Sequence, residues 1–476
     1  MKKNWKIAVI LMALVVPLLT GAFVVAMFSI TGETFGKEAK EEKDFTMFSA
    51  YTTVETLQTV PYMQTKGTVE NPENYGNYKG YLVNVKGSTV EEYQTYLKTL
   101  EEKGFKKHSD NGEDAMEGNI MTASFTKDEL TLTVSHAIKR DHTYISVANN
   151  VPLSDHLIYK DEYVEGISED AQTKVHMTEL WNNGNSFVIQ LKNGHFIIED
   201  GAKKQDAPYL LDYLESLVPE GEKPVIEAWF ISHPHEDHSG AMTKIATTKE
   251  YQDRIYVEGF YYYDMSDVML TFLTLQSGVA VSRDIRLYRQ AFKTTSGETT
   301  PLYRPQLGQR YYFCDIQIDV ALTIEQCSKD TLENKDLNDS STWLMHHIEG
   351  QRMLIAGDSN YSSQNNAIFL YDKDYFELEL FATPHHAINM YDEFADVLDV
   401  DTMLYTSYWA GSIWRDGTWK EALSVNARMR DEVEEYLHYG DGGVVMTFPY
   451  SVGKAEILPK NRWIYNGGMD GRKNWD

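Results

Sequence analysis

The chain of 476 residues is poor in cysteine, and that shortage excludes several classes of protein. Its two cysteines, Cys314 and Cys327, are too few for a disulfide framework and do not support a cysteine-based metal site. They flank the alternating stretch "CDIQIDVALTIEQC", which is typical of a β-hairpin. The sequence therefore leaves open either one disulfide or two buried thiols.

Positive charge is also scarce. Lys and Arg total 44 against 71 Asp and Glu, which gives a net charge of -27. An acidic surface repels polyanions, so broad, non-specific binding of nucleic acid is disfavoured, whereas a local basic groove stays open. Plain solubility is the simpler interpretation of the acidity. Hydrophobic residues make up 42% of the chain, so its composition permits a large core, and its length allows two or three domains.

One long run without any charge lies near the N-terminus, from Ile7 to Ile30. It is long enough to cross a membrane as a helix, and the lysines before it favour a cytoplasmic stub at 1–6. We therefore expect a transmembrane anchor at 7–30 and a linker at 31–50, with the rest of the chain outside the cell. A chain secreted after signal cleavage is the alternative.

Residues 51–150 have the pattern of a small α+β domain. The apolar spacing from Val90 to Leu100 predicts a helix with Ser88 as its N-cap and Gly104 at its end. A strand is predicted before it at "GYLVNV", and strands are predicted after it at "IMTASF", "LTLTVSH" and "YISVAN". The segment has no catalytic constellation, so we interpret it as a spacer or an interaction module.

From about residue 170 the pattern is that of a layered α/β domain. "SFVIQLKNGHFIIEDGA" predicts two strands around an Asn-Gly turn, and "APYLLDYLESL" predicts a helix with Pro208 in its first turn. "PVIEAWFIS" predicts an apolar strand that ends in "HPHEDH", with a helix from Gly240 onward. Ligands of such sheets collect at the carboxyl ends of strands, where these histidines lie.

The segment "HPHEDH" contains the donors of a metal site. His233 and His235 alternate at the end of a strand and can point to the same side, and Asp237 and His238 follow about one turn later. Two imidazoles for one cation, and a carboxylate with an imidazole for another, is a chemically sensible division. Zinc suits these donors best, with manganese or iron as alternatives. A polar loop of satisfied histidines is the plainer alternative.

This pattern resembles the His-x-His-x-Asp-His motif of the metallo-β-lactamase superfamily of binuclear metallohydrolases. The resemblance covers about residues 170–460. It implies an α/β fold, a metallo-β-lactamase-like αββα sandwich at 165–462, preceded by the transmembrane helix and the small α+β domain. Residues 463–476 would form a tail.

The resemblance also implies further site residues. Asp200, in "IIEDGA", matches the buried aspartate that orients a histidine ligand. Asp358, in "RMLIAGDS", matches the carboxylate that bridges the two metals, and His385, in "ELFATPHH", matches the last histidine ligand, with His386 as the second choice. Together with the histidine motif, these residues imply two divalent metal ions.

One departure concerns the first metal. The superfamily commonly supplies it with another histidine, but the candidates in this part of the chain, His346 and His347, lie inside a predicted strand and are not assigned as ligands. Asn338, Asp339, a nearby serine or water are the remaining candidates. The Asn-x-x-Ser pattern that begins at Asn338 is similar to the branch related to DNA-uptake competence proteins, which similarly lacks that histidine.

The chemistry that the resemblance implies is metal-dependent hydrolysis of an ester-type bond in a small molecule or a polymer. Phosphodiesters are favoured over lactones, thioesters and β-lactams by the likeness to the competence-related branch. Asp237 would both bind metal and orient the attacking water. Aromatic clusters at Tyr261–Tyr263 and at Trp409, Trp414 and Trp419 could stack on a substrate, although packing is the plainer explanation. A catalytically silent cell-surface binding protein is the alternative from another class.

Overall fold

The computed structural model describes most of the chain after its N-terminal part. The described residues are 57–70, 80–112, 115–180, 184–265, 270–271, 274–275, 281, 285–327, 336–387, 389–406, 420–439 and 442–460. The predicted anchor at 7–30, the linker at 31–50 and the tail at 463–476 lie outside them. Within these ranges, no helix has both the length and the apolar composition that crossing a bilayer requires. The chain divides into two compact units, Met1–Tyr62 and Met63–Asp476, and every element below belongs to the second.

The second unit contains both strands and helices. The strands are β1 (Thr68–Val69), β2 (Tyr81–Lys86), β3 (Lys106–Asn111), β4 (Ile120–Lys127), β5 (Leu130–Ala137), β6 (His142–Asn149), β7 (Lys174–Met177), β8 (Phe187–Gln190), β9 (Phe196–Glu199), β10 (Val225–Ile231), β11 (Tyr256–Val257), β12 (Phe260–Tyr262), β13 (Leu302–Tyr303), β14 (Arg310–Phe313), β15 (Ile316–Leu322), β16 (Trp343–Ile348), β17 (Gln351–Ile355), β18 (Glu377–Ala382), β19 (Asp399–Tyr405), β20 (Glu435–His438), β21 (Val444–Thr447) and β22 (Glu456–Ile457). The α-helices are α1 (Val90–Glu102), α2 (Ala207–Ser216), α3 (Glu236–Ala246), α4 (Lys249–Gln252), α5 (Ile285–Tyr288), α6 (Tyr361–Leu370), α7 (Pro384–Ala387), α8 (Asp392–Ala395) and α9 (Lys420–Glu432).

Two large sheets pack face to face. In the described residues, the first has the order β13-β12-β10-β9-β8-β7-β21-β22, with β11 beside β10, and the second has the order β14-β15-β16-β17-β18-β19-β20. Their facing sides share one apolar core, to which Ile197 and Phe230 contribute from the first sheet and Ile318 and Ile355 from the second. Burial of these faces removes a large apolar area from water and holds the sheets together.

Helices cover the outer face of each large sheet. The first sheet packs on α2 and α3 through a core that includes Leu211, Trp229 and Met242. The second packs on α6, α8 and α9 through a core that includes Phe381 and Phe394. The order of layers is therefore helix, sheet, sheet, helix, which is the αββα arrangement expected for 165–462.

The parallel parts of both sheets position the site. Strands β9, β10, β12 and β13 run parallel in the first sheet, and β17, β18, β19 and β20 run parallel in the second. The histidine segment follows β10, Asp358 follows β17, and the pair His385 and His386 follows β18. The carboxyl ends of parallel strands lie at one edge of a sheet. Because the two sheets pack face to face, the residues at these edges meet.

A smaller, antiparallel sheet of order β1-β2-β6-β5-β4-β3 precedes the sandwich in the chain. Its helix α1 begins one residue later than predicted, because Thr89 forms the capping box with Glu92, with Glu92 N 3.2 Å from Thr89 Oγ1. Ser88 is instead buried, and its hydroxyl donates to the carbonyl oxygen of Val85 at 3.1 Å. Gly104 follows the helix with a φ of 85°, as its predicted role requires.

Polar contacts join the six-stranded sheet to loops of the sandwich. Ser135 Oγ donates to the carbonyl oxygen of Leu307 at 2.6 Å, and Ser146 Oγ donates to Glu325 Oε1 at 2.7 Å. Apolar residues of both parts, such as Ile120 and Leu322, belong to the same core. The six-stranded sheet therefore packs directly on the layer of the second large sheet.

The two cysteines are free and buried, which selects the thiol alternative over a disulfide. The stretch between the cysteines is not the predicted hairpin, because it contains the single strand β15, whose hairpin partner β14 lies before Cys314, with Phe313 paired to Ile316 across the turn. Cys314 lies in that turn, and burial raises the pKa of its thiol to about 12. Both cysteines therefore behave as small apolar residues of the core.

Leu211→Ala tests the packing of α2 against the first large sheet. Leu211 is 0% exposed, so the substitution should lower the free energy of unfolding by about 2–5 kcal/mol through lost burial and a cavity. Leu287→Ala is the matched control, because Leu287 is 51% exposed, and it should change the value by less than about 0.5 kcal/mol. Urea denaturation measures both, and equal effects of the two substitutions would contradict this packing.

Candidate metal centre

The helix after the histidine segment begins one turn earlier than predicted. It starts at Glu236, with His235 as its N-cap in an extended conformation, so Asp237 and His238 lie in its first turn. The helix dipole favours acidic side chains in the first turn of a helix. The prediction of a helix from Gly240 onward did not use this signal. Gly240 lies inside the helix, where a Cβ atom would be 2.7 Å from the Lys204 nitrogen. That glycine therefore serves close packing and does not mark the start of the helix.

Two groups of donor side chains form at this edge of the sandwich. His233, His235 and Asp358 form the first group. Asp237, His238 and His386 form the second. Within each group, one ligand atom per residue lies within 4.8 Å of the others, which is close enough for a single cation to contact all three.

Asp358 contacts both groups. Its Oδ1 is 3.0 Å from His238 Nε2, and its Oδ2 is 3.4 Å from His386 Nε2 and 3.9 Å from His233 Nε2. Gly357 lets the aspartate come this close, since its φ is 56° and a Cβ atom there would be 2.8 Å from Ser341 Oγ. The carboxylate thus lies between the two donor groups, and it is a residue that would help to hold a cation there.

The two histidines after β18 lie differently. His386 is buried, with its Nε2 3.6 Å from Asp237 Oδ2. His385 keeps 24% of its side chain exposed, and its Nε2 is 3.7 Å from Asp358 Oδ2 while its Nδ1 is 2.7 Å from Asn389 Nδ2. The sequence favoured His385 as the last ligand, whereas the structure brings His386 into the second group. Both residues have positive φ values, 51° and 53°, and this left-handed turn decides which imidazole points inward.

Asp200 orients the histidine segment from behind. Its Oδ2 is 2.7 Å from His238 Nδ1 and accepts from Asn185 Nδ2 at 3.0 Å, while its Oδ1 accepts from the Ser232 backbone nitrogen at 2.8 Å. The residue is 1% exposed, and its backbone φ is 59°. A carboxylate that accepts from one ring nitrogen of a histidine leaves the other nitrogen free to act as a ligand.

Two serines that the sequence did not single out also hold the site. Ser232 Oγ lies 3.1 Å and Ser341 Oγ 3.3 Å from His233 Nδ1, and Ser341 Oγ also accepts from the Asp358 backbone nitrogen at 3.0 Å. Ser341 is the serine of the Asn-x-x-Ser pattern, so a signal for it was present. Ser232 directly follows β10, and its spacing alone carried no such signal.

The other candidates for the first metal occupy structural positions. Asp339 Oδ1 accepts from the backbone nitrogens of Asn360 and Ser363 at 3.2 and 3.0 Å. It therefore supplies hydrogen-bond acceptors to backbone N–H groups at the start of α6. Burial raises the pKa of Asp339. Asn338 lies nearer to the site, with Nδ2 3.5 Å from His385 Nδ1.

His346 and His347 stay outside the site. Both lie in β16, where His346 contacts Glu199 and the carbonyl oxygen of Met353, and His347 Nε2 is 3.2 Å from Asp319 Oδ2. The extra histidine that the superfamily commonly supplies is therefore not replaced by either of them.

Orphaned polar atoms show whether this site fits a cation. Among the described residues, His235 Nε2, His386 Nε2 and Asn338 Oδ1 are buried without a hydrogen-bond partner. Leaving such atoms unsatisfied costs about 1–3 kcal/mol each. Imidazole nitrogens beside carboxylates are donors that zinc prefers, so the residues present fit a divalent cation.

The charges of the site also favour cations. Burial lowers the pKa of His233 and of His235. Burial would lower the pKa of His386 too, but Asp358 and Asp237 outweigh it and raise that pKa to about 9. Burial would raise the pKa of Asp358, yet the neighbouring histidines hold it well below its usual range. The carboxylates thus attract protons onto the imidazoles, which is the attraction that a divalent cation would satisfy instead.

Comparisons with known proteins show a distant likeness in structure. No family model matches the chain, and no curated protein matches it. Among solved structures, a mutant metallo-β-lactamase from Cronobacter sakazakii has 14% identity and a TM-score of 0.29, with 54% of this chain and 91% of that chain covered. The metallo-β-lactamase fold protein YhfI from Bacillus subtilis has 11% identity and a TM-score of 0.32, with 56% and 95% covered. The Zn²⁺-bound PqqB from Methylobacterium extorquens has 11% identity and a TM-score of 0.31, with 55% and 86% covered.

His386→Ala and His385→Ala form a matched pair that tests which histidine binds metal. His386→Ala should lower the metal content by roughly one equivalent per chain, because the second donor group would keep only two members. His385→Ala should leave the content unchanged. Elemental analysis of the purified variants measures this, and loss of an ion from His385→Ala alone would assign the ligand to His385.

Asp200→Asn tests the brace behind His238. The amide removes the negative acceptor of His238 Nδ1, so metal affinity should fall about 10–100-fold. Competition with a chromogenic chelator measures the affinity. Asp212→Asn is the control, because the Asp212 side chain is 71% exposed and should have no effect. An unchanged affinity in Asp200→Asn would show that the brace does not tune the ligand.

Proposed function

We propose that this chain is a metal-dependent hydrolase of the metallo-β-lactamase superfamily. Its one centre would hold two divalent cations, and zinc is the preferred metal. The observation that carries the proposal is the pair of buried donor groups that Asp358 links. The αββα layers and the position of the groups at the carboxyl ends of parallel strands support it further. The distant likeness to solved structures carries no part of the argument.

The donor sets divide the work of holding cations. His233, His235 and Asp358 would hold one cation, and Asp237, His238 and His386 the other. A bound divalent cation supplies a Lewis acid that lowers the pKa of water from about 16 to about 7. No protein nucleophile is then required for hydrolysis.

Asp237 is the residue that we assign to orienting the attacking water, in addition to binding metal. Its side chain is 25% exposed, so it faces the open side of the centre while the other carboxylate, Asp358, is buried. Burial would raise the pKa of Asp237, but the contact with His386 and the charge of His238 hold it below its usual range. It is therefore an anion that can accept a hydrogen bond from an attacking water and orient it.

The substrate that we propose is an ester, with phosphodiesters ahead of lactones, thioesters and β-lactams. A partly exposed aromatic pair beside the centre supports a ring-bearing or sugar-bearing substrate. Tyr361 is 51% exposed and packs edge-on against Tyr391 at 5.1 Å, and these residues adjoin Asn360 and Asn389, which contacts His385. Aromatic rings of this kind stack on bases and sugars.

The tyrosine cluster noted in the sequence has a packing role. Tyr261–Tyr263 are buried, and Tyr261 stacks on Phe230 at 4.5 Å, so they pack the core, as the plainer explanation predicts. Trp409, Trp414 and Trp419 lie outside the described residues. The role of the tryptophan cluster therefore stays a prediction, and Tyr361 and Tyr391 are a further aromatic surface that we propose for the substrate.

We also propose that the run at 7–30 anchors the chain in the membrane and leaves the hydrolase outside the cell. The uncharged run and the lysines before it support this location. A secreted form after signal cleavage is the alternative. The net charge of -27 speaks against broad binding of nucleic acid, so a small molecule or a specific polymer is the expected partner.

Asp237→Ala tests the catalytic assignment. It should lower hydrolysis of a chromogenic phosphodiester, lactone or β-lactam, whichever the native chain cleaves, by about 10²–10⁴-fold. Circular dichroism should be unchanged. Asp396→Ala is the control, because the Asp396 side chain is 63% exposed and pairs with Arg428 away from the centre. Full activity of Asp237→Ala would overturn the assignment.

A catalytically silent binding protein is the rival function, and the missing histidine of the first group is its main support. Elemental analysis separates the two. Roughly two metal ions per chain, together with hydrolysis that a chelator abolishes, support the enzyme. A chain without metal that cleaves none of the substrates supports the binding protein.

A further inference from the structure

A second cavity lies beside the six-stranded sheet, apart from the metal centre. Its volume is about 310 Å³, at the small end of the range of about 300–1,000 Å³ that ligand sites occupy. Residues Asn150–Pro152, which follow β6, form one wall. Tyr303 and Arg304, at the end of β13, form another, and Arg289 forms a third. The cavity therefore lies where the six-stranded sheet meets the edge of the first large sheet.

The strand register places the cavity at the same edge as the histidines. Tyr262, which lines the cavity, pairs with Ile231, the last residue of β10. Strand β13 is the next strand beyond β12, so the cavity lies about two strand spacings, roughly 10 Å, along the sheet from β10. The cavity shares no lining residue with the two donor groups.

Two guanidinium groups face this cavity. Arg289 Nη1 donates to the carbonyl oxygen of Thr300 at 2.6 Å, while its Nε is buried without a hydrogen-bond partner among the described residues. Arg304 is 5% exposed, and its guanidinium lies over the ring of Tyr263 at 5.2 Å from the centroid. Asp264 is the one carboxylate among the lining residues, so cationic groups outnumber anionic groups there.

The excess of arginine over carboxylate in the cavity lining does not follow from the composition of the whole chain. Acidic residues outnumber Lys and Arg by 71 to 44 in the chain, yet the lining of this cavity has the opposite balance. Arginine forks match phosphate and carboxylate groups with two parallel hydrogen bonds, and a desolvated guanidinium favours a charged partner. Most of the other lining residues are apolar or aromatic, among them Pro152, Tyr303 and Leu302.

We propose that this cavity binds a small ligand with a phosphate or carboxylate group, which lies against Arg289 and Arg304 while an apolar or aromatic part lies against Pro152 and Tyr303. The Nε of Arg289 supplies a donor that the described residues leave unsatisfied. Asn150 and Thr299, which also line the cavity, offer further polar contacts at its rim. This site requires no metal and does not depend on the proposed hydrolysis.

Isothermal titration of the full chain with phenyl phosphate, and separately with benzoate, tests the site and distinguishes the two anion classes. Binding of either anion should weaken about 10-fold or more in Arg289→Gln, which removes the charge and the guanidinium fork but keeps a polar, unbranched side chain. Thr299→Trp should block the cavity, because Thr299 is exposed at its rim and the larger indole side chain would occupy the opening. Arg428→Gln is the control, because Arg428 pairs with Asp392 and Asp396 instead.

Asp358→Ala separates this cavity from the metal centre, where a phosphate could also bind. Binding that persists in Asp358→Ala and weakens in both Arg289→Gln and Thr299→Trp supports the proposal. Binding that disappears in Asp358→Ala but is unchanged in Arg289→Gln would overturn it. Failure of the native chain to bind either anion would overturn it as well, and neither result would bear on hydrolysis by the metal centre.

Discussion

The buried carboxylate of Asp358 is the group on which the rest of the centre depends. A buried negative charge is costly unless cationic or hydrogen-bonding partners surround it, and here the partners are imidazoles from both halves of the sandwich. Asp358 follows a strand of the second sheet, whereas His238 lies in the helix after a strand of the first. The 3.0 Å contact between them therefore requires that the two sheets pack face to face in one fixed alignment. The same core that excludes water from the sheets thus creates the environment that favours a cation.

Behind this contact, a layer of hydrogen bonds fixes each imidazole. Asp200 accepts from Ser232 and contacts His238, and Ser341 connects His233 to the backbone of Asp358. Asp200 and Ser232 directly follow strands, and His238 lies in the first turn of a helix, so most of these groups are held by rigid elements. A centre arranged in this way has its donors in place before any ion arrives, so little conformational entropy is lost on binding.

The chain combines two sites of opposite charge preference along one edge of the first sheet. The metal centre gathers carboxylates and imidazoles, and the cavity beside β13 gathers guanidinium groups. The six-stranded sheet contributes to the second site only, through the residues that follow β6. This gives the small sheet a part in ligand binding, in addition to its packing on the sandwich.

The sequence alone determined the element types and the main donors. Periodicity predicted β10 and α2, and the spacing of His233, His235, Asp237 and His238 predicted their grouping, because neighbours in sequence at a strand end are neighbours in space. Tertiary structure decided the rest. Only the left-handed turn after β18 selects His386 over His385, and only the meeting of two distant loops brings Ser341 to His233. The cavity beside Arg289 and Arg304 likewise depends on packing between separate sheets, which leaves no periodic trace in the sequence because its walls come from residues more than a hundred positions apart.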